Sequence, residues 1–130
     1  MKLLLDTHIW LWMVIDPGQL SESAMDVVAD PDNALHLSAV TYWEIALLAE
    51  GGRIDLGGDT RSWIDCALRE FPVLDLAMTR EVAVASQEFV DLHKDPADRF
   101  LAATARTYGL QLATRDARLL AAPDVPTFAA

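Results

Sequence analysis

Short apolar runs alternate with longer runs of helical periodicity along this chain, and turn residues separate the two. Residues 2–5 form an apolar run of strand length, and residues 7–15 form an apolar helical run that Asp16, Pro17 and Gly18 end. Alternation of this kind is typical of βα units around a mostly parallel sheet. We therefore predict an α/β fold and a single domain over residues 1–130.

The remaining elements are predicted from the same pattern and from residues that begin or end helices. Further strands are expected at residues 34–37, 73–76, 110–113 and 125–128. Further helices are expected at residues 21–29, 60–70, 79–92, 96–108 and 115–121, and another that begins at Ser38 or Thr41 and runs through residue 49. Pro126 predicts an edge position for the last strand, because proline cannot donate a ladder hydrogen bond.

Composition narrows the class of protein. The chain has 130 residues of which 52% are hydrophobic, enough to bury a core without metal or disulfide support. Cys66 is the single cysteine, so an intramolecular disulfide or a cysteine metal cluster is excluded, and a cytoplasmic location is expected. The apolar N-terminal run is interrupted by Asp6 and His8, which argues against a signal peptide or a membrane span.

The charge is strongly acidic, with a formal net value of -10. This opposes tight non-specific binding of nucleic acid, because Lys and Arg drive phosphate binding. The charge is uneven, however, since residues 94–130 hold five basic and four acidic side chains. A bound metal ion can neutralise part of the excess, and a basic protein partner would suit the rest.

Four carboxylates stand out by their positions. Asp6 and Asp116 each follow a predicted strand, Asp98 lies in the first turn of a predicted helix, and Glu44 lies within an apolar helix. Ligands gather beyond the carboxyl ends of parallel strands, so Asp6 and Asp116 are expected on one rim of the sheet. If the four converge, their mutual repulsion requires a cation, and oxygen ligands suit Mg²⁺ or Mn²⁺.

Each of these acids also has a simpler interpretation. Asp6, Asp98 and Asp116 can be helix caps or first-turn acids that the helix dipole favours. Glu44 can be a buried carboxylate that pairs with Arg99. Asp95 is best interpreted as the N-cap of the helix that begins at Pro96.

The other candidate side chains are basic or aromatic. Arg99 and Arg115 are the preferred phosphate contacts because they adjoin Asp98 and Asp116, whereas Arg106 and Arg118 are expected to be solvated. The tryptophans lie in apolar helical runs and are expected in core or dimer packing rather than base stacking; they are Trp10, Trp12, Trp43 and Trp63. His8 and His93 are expected to be packing or supporting groups, not metal ligands, and Thr114 can steady its strand end.

Four blocks of the sequence resemble one known family. They are LLLDTH at residues 3–8, LSAVTYWEI at 37–45, HKDPADRFLAA at 93–103 and LATRD at 112–116. In content, order and spacing they resemble VapC-type PIN-domain toxins of VapBC toxin–antitoxin systems. The resemblance spans nearly the whole chain, and the four ordered blocks together are far more specific than any one of them.

The resemblance implies a fold, an activity and partners. It implies a three-layer α/β/α sandwich, a Mg²⁺- or Mn²⁺-dependent endoribonuclease that cleaves RNA through metal-activated water, and an inhibitory VapB-like antitoxin. It also implies a homodimer, and an antitoxin that often places a basic side chain in the acidic pocket. The catalytic and metal-binding residues it implies are Asp6, Glu44, Asp98 and Asp116, of which Asp6 and Asp98 are the firmest metal ligands and Asp116 the one that water can bridge.

Other classes fit the sequence less well. A phosphatase of the haloacid dehalogenase type needs a second aspartate where His8 stands, and a response-regulator receiver needs an acidic pair beside its aspartate. The alternative that remains is a catalytically silent module of the same fold that binds a basic partner. Metal-dependent RNA cleavage that Asp6→Asn abolishes separates this alternative from the nuclease.

Overall fold

The computed structural model describes all 130 residues and contains one five-stranded sheet in the order β3-β2-β1-β4-β5. The strands are β1 (Lys2–Leu5), β2 (Ala34–Ser38), β3 (Leu74–Leu76), β4 (Gln111–Thr114) and β5 (Thr127–Ala129). Every neighbouring pair is parallel, so the prediction of a mostly parallel sheet is confirmed and the sheet is in fact wholly parallel. The edge position of the last strand is also confirmed.

Seven α-helices connect and flank the strands. They are α1 (Thr7–Ile15), α2 (Glu22–Ala29), α3 (Ala39–Glu50), α4 (Thr60–Glu70), α5 (Arg80–Ala85), α6 (Pro96–Tyr108) and α7 (Ala117–Ala121), with a short 3-10 turn at Pro17–Gln19. Ser38 is the N-cap of α3, since its hydroxyl accepts from the Val40 amide. The alternative cap, Thr41, is instead fully buried. No helix has the length and apolar character needed to cross a bilayer.

The core lies on both faces of the sheet, which makes the molecule a three-layer α/β/α sandwich as predicted. Successive residues of a strand point to opposite faces, so Leu4 belongs to one cluster of buried side chains and Leu3 and Leu5 to the other. Helices α5, α6 and α7 pack in the first cluster, and α1, α2 and α4 in the second, while α3 contributes to both. Because both faces are covered, the rim at the strand ends is the open place for a site.

One predicted helix is wrong over half its length. The helix expected at residues 79–92 ends at Ala85. In the segment after Ala85, four carbonyls accept hydrogen bonds of 2.8–3.2 Å from the Arg99 guanidinium instead of from helical amides. These are the carbonyls of Ser86, Phe89, Leu92 and His93. A distant side chain thus replaces the helix as the hydrogen-bond partner of this segment.

Smaller differences occur near the C-terminus. The last strand begins at Thr127 rather than at residue 125, although the Pro126 carbonyl already accepts from the Leu112 amide at 2.8 Å. Helix α7 begins at Ala117 rather than at Arg115, because Asp116 is its N-cap. Both differences are within the usual uncertainty of element ends.

Candidate metal centre and active site

An open cavity of about 380 Å³ lies at the rim where β1, β2 and β4 end, and we call it the acidic cavity. All four predicted acids line it, so the structure brings together what the sequence singled out. The prediction that Asp6 and Asp116 share one rim is correct, because β1 and β4 are parallel neighbours. Its lining residues are Asp6, His8, Ile9, Trp12, Glu44, Asp95, Asp98, Arg115, Asp116 and Arg118.

Asp6 follows β1 and is the residue before α1, but its carboxylate makes no capping bond to that helix. It accepts instead from the Thr114 hydroxyl, with 2.7 Å between Oγ1 and Oδ2. Burial raises the pKa of the Asp6 carboxyl, and the nearby charge of Asp98 raises it further. The simpler interpretation of Asp6 as a helix cap is therefore wrong, and its carboxylate remains directed to the cavity.

Glu44 projects from α3 and receives a hydrogen bond of 2.5 Å from the Thr7 hydroxyl. Thr7 has one hydroxyl proton, so Thr41 donates to the Thr7 oxygen, 3.1 Å away. No lysine or arginine pairs with Glu44, and Arg99 bonds elsewhere, so the alternative interpretation of Glu44 as the partner of Arg99 is wrong. Burial, with the charges of Asp6 and Asp98 adding to it, raises the Glu44 pKa to about 7.

Asp98 lies in the first turn of α6, where Asp95 caps the helix by accepting from the Asp98 amide. The Asp98 side chain is 14% exposed and accepts from His93, with 2.6 Å between Nε2 and Oδ2. The His93 Nδ1 atom is buried without a partner, and Nε2 is the ring nitrogen that donates to Asp98. Burial raises the pKa of Asp98 despite this hydrogen bond.

Asp116 is held differently from the other three acids. Its carboxylate caps α7 by accepting from the Arg118 amide, and it also accepts from the Arg118 guanidinium, with 3.0 Å between NH2 and Oδ2. These bonds lower the Asp116 pKa. The same guanidinium lies 3.7 Å from Asp98 Oδ2. Arg118 was expected to be solvated, and it instead bridges two acids while most of its side chain stays exposed.

Thr114 connects two of the acids. Its hydroxyl donates to Asp6, as described above, and accepts from the Asp116 amide at 3.0 Å. The residue is fully buried. Its hydroxyl therefore fixes the end of β4 against the end of β1. Thr114 thus does more than the alternative interpretation, a simple strand residue, implied.

The two arginines predicted to contact RNA have different surroundings. The nitrogens of Arg99 donate to four main-chain carbonyls, so this side chain holds the segment after α5 and is not available to a phosphate. Arg115 lines the acidic cavity, donates to the Gln19 carbonyl at 2.6 Å and lies over the Trp12 ring, 5.1 Å from its centroid. Arg115 is therefore the one of the pair that remains a candidate for substrate contact.

The comparison with known sequences agrees with this geometry. The profile of the PIN domain family matches residues 3–125. The chain belongs to the PIN-domain family. This PIN domain is 36% identical over 117 residues to ribonuclease VapC22 of Mycobacterium tuberculosis, covering 89% of the chain and 88% of the relative.

Solved structures share the fold of this PIN domain. VapBC2 from Rickettsia felis, bound to a DNA fragment from its promoter, superposes with a TM-score of 0.74 at 14% identity and 98% coverage of both chains. VapC20 of Mycobacterium tuberculosis, a toxin that cleaves the sarcin–ricin loop, gives a TM-score of 0.67 at 18% identity, covering 98% of this chain and 99% of that one. At these identities the likeness shows the fold alone.

The donor set of the PIN domain fits a divalent cation. Asp6, Glu44 and Asp98 are acids whose pKa is raised by burial. The arginine that contacts the group, Arg118, reaches Asp116 and Asp98 but not Asp6 or Glu44. A bound cation would supply the missing positive charge, and carboxylate oxygens are the ligands that Mg²⁺ and Mn²⁺ prefer.

Sequence reasoning missed part of the site. His93 was expected to be a packing or supporting group, and it does support Asp98 by hydrogen bonding; one of its ring nitrogens and carboxylate oxygens of Asp98 and Asp116 lie within 4.8 Å of one another. Thr7 and Thr41, which hold Glu44, were not singled out. The role of a buried hydroxyl depends on its hydrogen-bond partners, and the partners of the Thr7 hydroxyl, Thr41 and Glu44, lie on α3. The one indication in the sequence was that Thr7, whose hydroxyl can donate a hydrogen bond, directly follows Asp6.

Proposed function

We propose that this PIN domain is a Mg²⁺- or Mn²⁺-dependent endoribonuclease. The observation that carries the proposal is the convergence of four carboxylates in one cavity, with no cation on Asp6 or Glu44. The 36% identity to ribonuclease VapC22 supports the choice of RNA as substrate. We assign Asp6, Asp98 and Glu44 as metal ligands, and Asp116 as the ligand that water bridges.

The chain's own side chains would prepare the reaction. Thr114 fixes the orientation of Asp6, Thr7 that of Glu44, and His93 that of Asp98. When bound, a divalent cation supplies an acidified water and stabilises the leaving oxygen of the displaced phosphodiester. The Oε2 atom of Glu44 makes no hydrogen bond and can take up a proton from the attacking water. Products with a 5′-phosphate and a 3′-hydroxyl are expected, and a 2′,3′-cyclic phosphate would contradict the proposal.

We further propose that the protein is the toxin of a toxin–antitoxin pair and acts as a homodimer. Support comes from the relationship to VapC22 and from the net charge of -10, which suits a basic antitoxin. A basic side chain of the antitoxin would enter the acidic cavity and replace the charge that the metal ion provides. Light scattering of the free protein and of its complex with the product of a neighbouring gene measures both assemblies.

Cleavage of a structured-RNA pool tests the nuclease. Purified protein is incubated with Mg²⁺, Mn²⁺ or EDTA, beside the variants Asp6→Asn and Asp98→Asn. The control is Asp26→Asn, which makes the same chemical change at an exposed helix position. We expect discrete fragments with metal, none with EDTA, a loss of at least about 100-fold in both site variants and full activity in the control.

The alternative of a silent interaction module predicts another outcome. In that case no RNA is cut under any metal condition, while the wild type still binds a basic partner. Folding of each variant is checked by thermal denaturation, so that a loss of activity is not confused with a loss of structure.

A further inference from the structure

A second cavity of about 280 Å³ adjoins the acidic cavity, and we call it the tryptophan cavity. Glu44 and Asp95 line both cavities and therefore form the wall between them. The lining that is not shared comes from α3, from the loop after it and from the first turn of α6, and it includes Trp43, Leu47 and Arg53.

Trp43 differs from the other tryptophans of the chain. Trp10 is fully buried between the rings of Tyr42 and Trp63, and Trp12 is half-buried beneath Arg115. Trp43 leaves 50% of its surface exposed, and it directly precedes Glu44 on α3. Trp43 is therefore not a core residue of the single chain, and packing in a dimer is the other use that was expected of it. Its indole has an apolar face and a polar N–H, and half of it is available to a ligand or to a second copy of the chain.

Charge indicates which ligand suits this cavity. Arg53 is exposed and its guanidinium makes no hydrogen bond or ion pair with the protein, so this group is free for an anion. Asp95 stands at the junction of the cavities and repels phosphate there. The cavity thus offers an aromatic face next to the acidic cavity and a cation farther along, which matches the alternation of base and phosphate in single-stranded RNA.

We propose that Trp43 is a stacking platform for an unpaired base next to the scissile phosphate, and that Arg53 contacts the following phosphate. This inference rests on the proposed ribonuclease function. Stacking is tolerant of base identity but requires an unpaired base, so the tryptophan cavity selects single-stranded or looped RNA.

A second copy of the chain is the competing occupant. Trp43 and Leu47, one turn apart on α3, are both about half exposed, as interface residues can be. The patch, however, is a cavity whose wall includes Glu44, so a protein seated in it would cover the reacting centre. An RNA base placed there lies where the substrate has to pass.

A double-mutant cycle between protein and RNA tests the proposal. The probes are a single-stranded RNA 12-mer that the wild type cleaves at one site and two versions of it that lack the base on one or the other side of that site. The proteins are wild type, Trp43→Leu, Trp43→Phe and, as an exposed apolar control far from the cavities, Leu74→Ala. KM and kcat are measured with Mg²⁺, and the molar mass of each protein by light scattering.

We expect Trp43→Leu to raise KM about tenfold with little change in kcat, and Trp43→Phe to raise it no more than about threefold. Removal of one of the two bases from the RNA should raise the KM of the wild type by a similar factor. The same removal should not raise the KM of Trp43→Leu any further. Arg53→Gln should raise KM severalfold, whereas Arg69→Gln, an exposed arginine of α4, should not.

Other results overturn the inference, and they distinguish its failure from a failure of the proposed function. If the wild type cleaves with Mg²⁺ and Trp43→Leu retains the wild-type KM, the platform is excluded while the nuclease stands. If Trp43→Leu instead lowers the molar mass from dimer to monomer, the patch is an interface between copies. If the wild type cleaves no RNA with any metal, the proposed function itself fails.

Discussion

At the scale of single residues, the acidic cavity depends on hydrogen-bond donors other than lysine and arginine. Three of its carboxylates are held by a threonine or a histidine: Asp6 by Thr114, Glu44 by Thr7, and Asp98 by His93. A threonine hydroxyl fixes the direction of a carboxylate while leaving its negative charge for a cation, whereas an arginine partner would cancel that charge. Asp116, bound to Arg118, is the exception and is correspondingly the weakest ligand in our assignment.

Replacement of Thr114 by valine tests the role of these donors. Thr114→Val keeps the shape of the fully buried side chain but frees Asp6 to rotate, so we expect the affinity for Mn²⁺ to fall 10–100-fold. Thr114→Ser should restore most of it. Calorimetric titration with Mn²⁺ measures the affinity. The matched control is Thr104→Val, a buried threonine whose hydroxyl bonds only the Phe100 carbonyl and whose loss should leave the metal affinity unchanged.

The raised pKa of Glu44 predicts a pH dependence of stability in EDTA. The folded state holds the Glu44 proton up to pH of about 7, whereas the unfolded chain releases it near the ordinary value of 4.5. The contribution is therefore fully present below pH 4.5 and is lost as pH rises through 7. Part of the effect is screened by solvent, so we expect the free energy of unfolding to fall by about 1–2 kcal/mol between pH 4.5 and 8.

Urea denaturation of the metal-free protein across this range measures the slope. Glu44→Gln cannot release a proton and should flatten the dependence, while Glu22→Gln, at an exposed position of α2, should leave it as in the wild type. A wild-type stability that rises over the same range would contradict the assignment of an uncompensated Glu44.

At the scale of elements, local pattern predicted most of the fold. Helices α1, α4 and α6 begin and end where the sequence indicates, because caps such as Asp95 and stops such as Gly109, which adopts a φ of +69°, act within one turn. The segment after α5 could not be predicted in this way. Its carbonyls accept hydrogen bonds from Arg99, which follows Ser86 and Phe89 by ten or more residues. Local periodicity does not indicate so distant a partner.

Arg99→Lys tests this assignment. A lysine cannot reach four carbonyls at once, so several would remain buried without a donor, and we expect a loss of about 3 kcal/mol, or about 10 °C in Tm. Because His93 lies at the end of the segment, metal affinity should weaken as well. Thermal denaturation and Mn²⁺ titration measure the two effects. An unchanged Tm, with Arg69→Lys as the reference for an exposed arginine, would return Arg99 to the candidates for RNA contact.

At the scale of the whole molecule, sequence reasoning located the site correctly but not all of its composition. Strand order places β1 between β2 and β4, so Asp6 after β1, Asp116 after β4 and the helix after β2 that carries Glu44 meet at one rim whatever their separation along the chain. That convergence is a property of parallel topology and was predictable. The exposure of Trp43 and the engagement of Arg118 depend on how neighbouring helices pack, which no single segment specifies.

The acidic surface predicts a shallow salt dependence of RNA binding. With Arg53 and Arg115 as the two proposed phosphate contacts, binding of the 12-mer by the Asp98→Asn variant should weaken only about sevenfold between 50 and 200 mM salt. Fluorescence anisotropy at constant Mg²⁺ measures this. Arg53→Gln should roughly halve the logarithmic slope and Arg69→Gln should not change it. A slope several times steeper would mean that other cations hold the RNA.

The position of β1 in the middle of the sheet has a consequence for synthesis of the protein. The first strand made, with Asp6 at its end, needs β4 as a neighbour, and the hydrogen bond between Thr114 and Asp6 joins residues 108 positions apart. A nascent chain on the ribosome therefore carries Asp6 and Glu44 long before Asp98 and Asp116 have been translated. We expect such a chain to hold only half of its acidic cavity, so that the translating ribosome is not exposed to an active nuclease until nearly the whole domain has emerged.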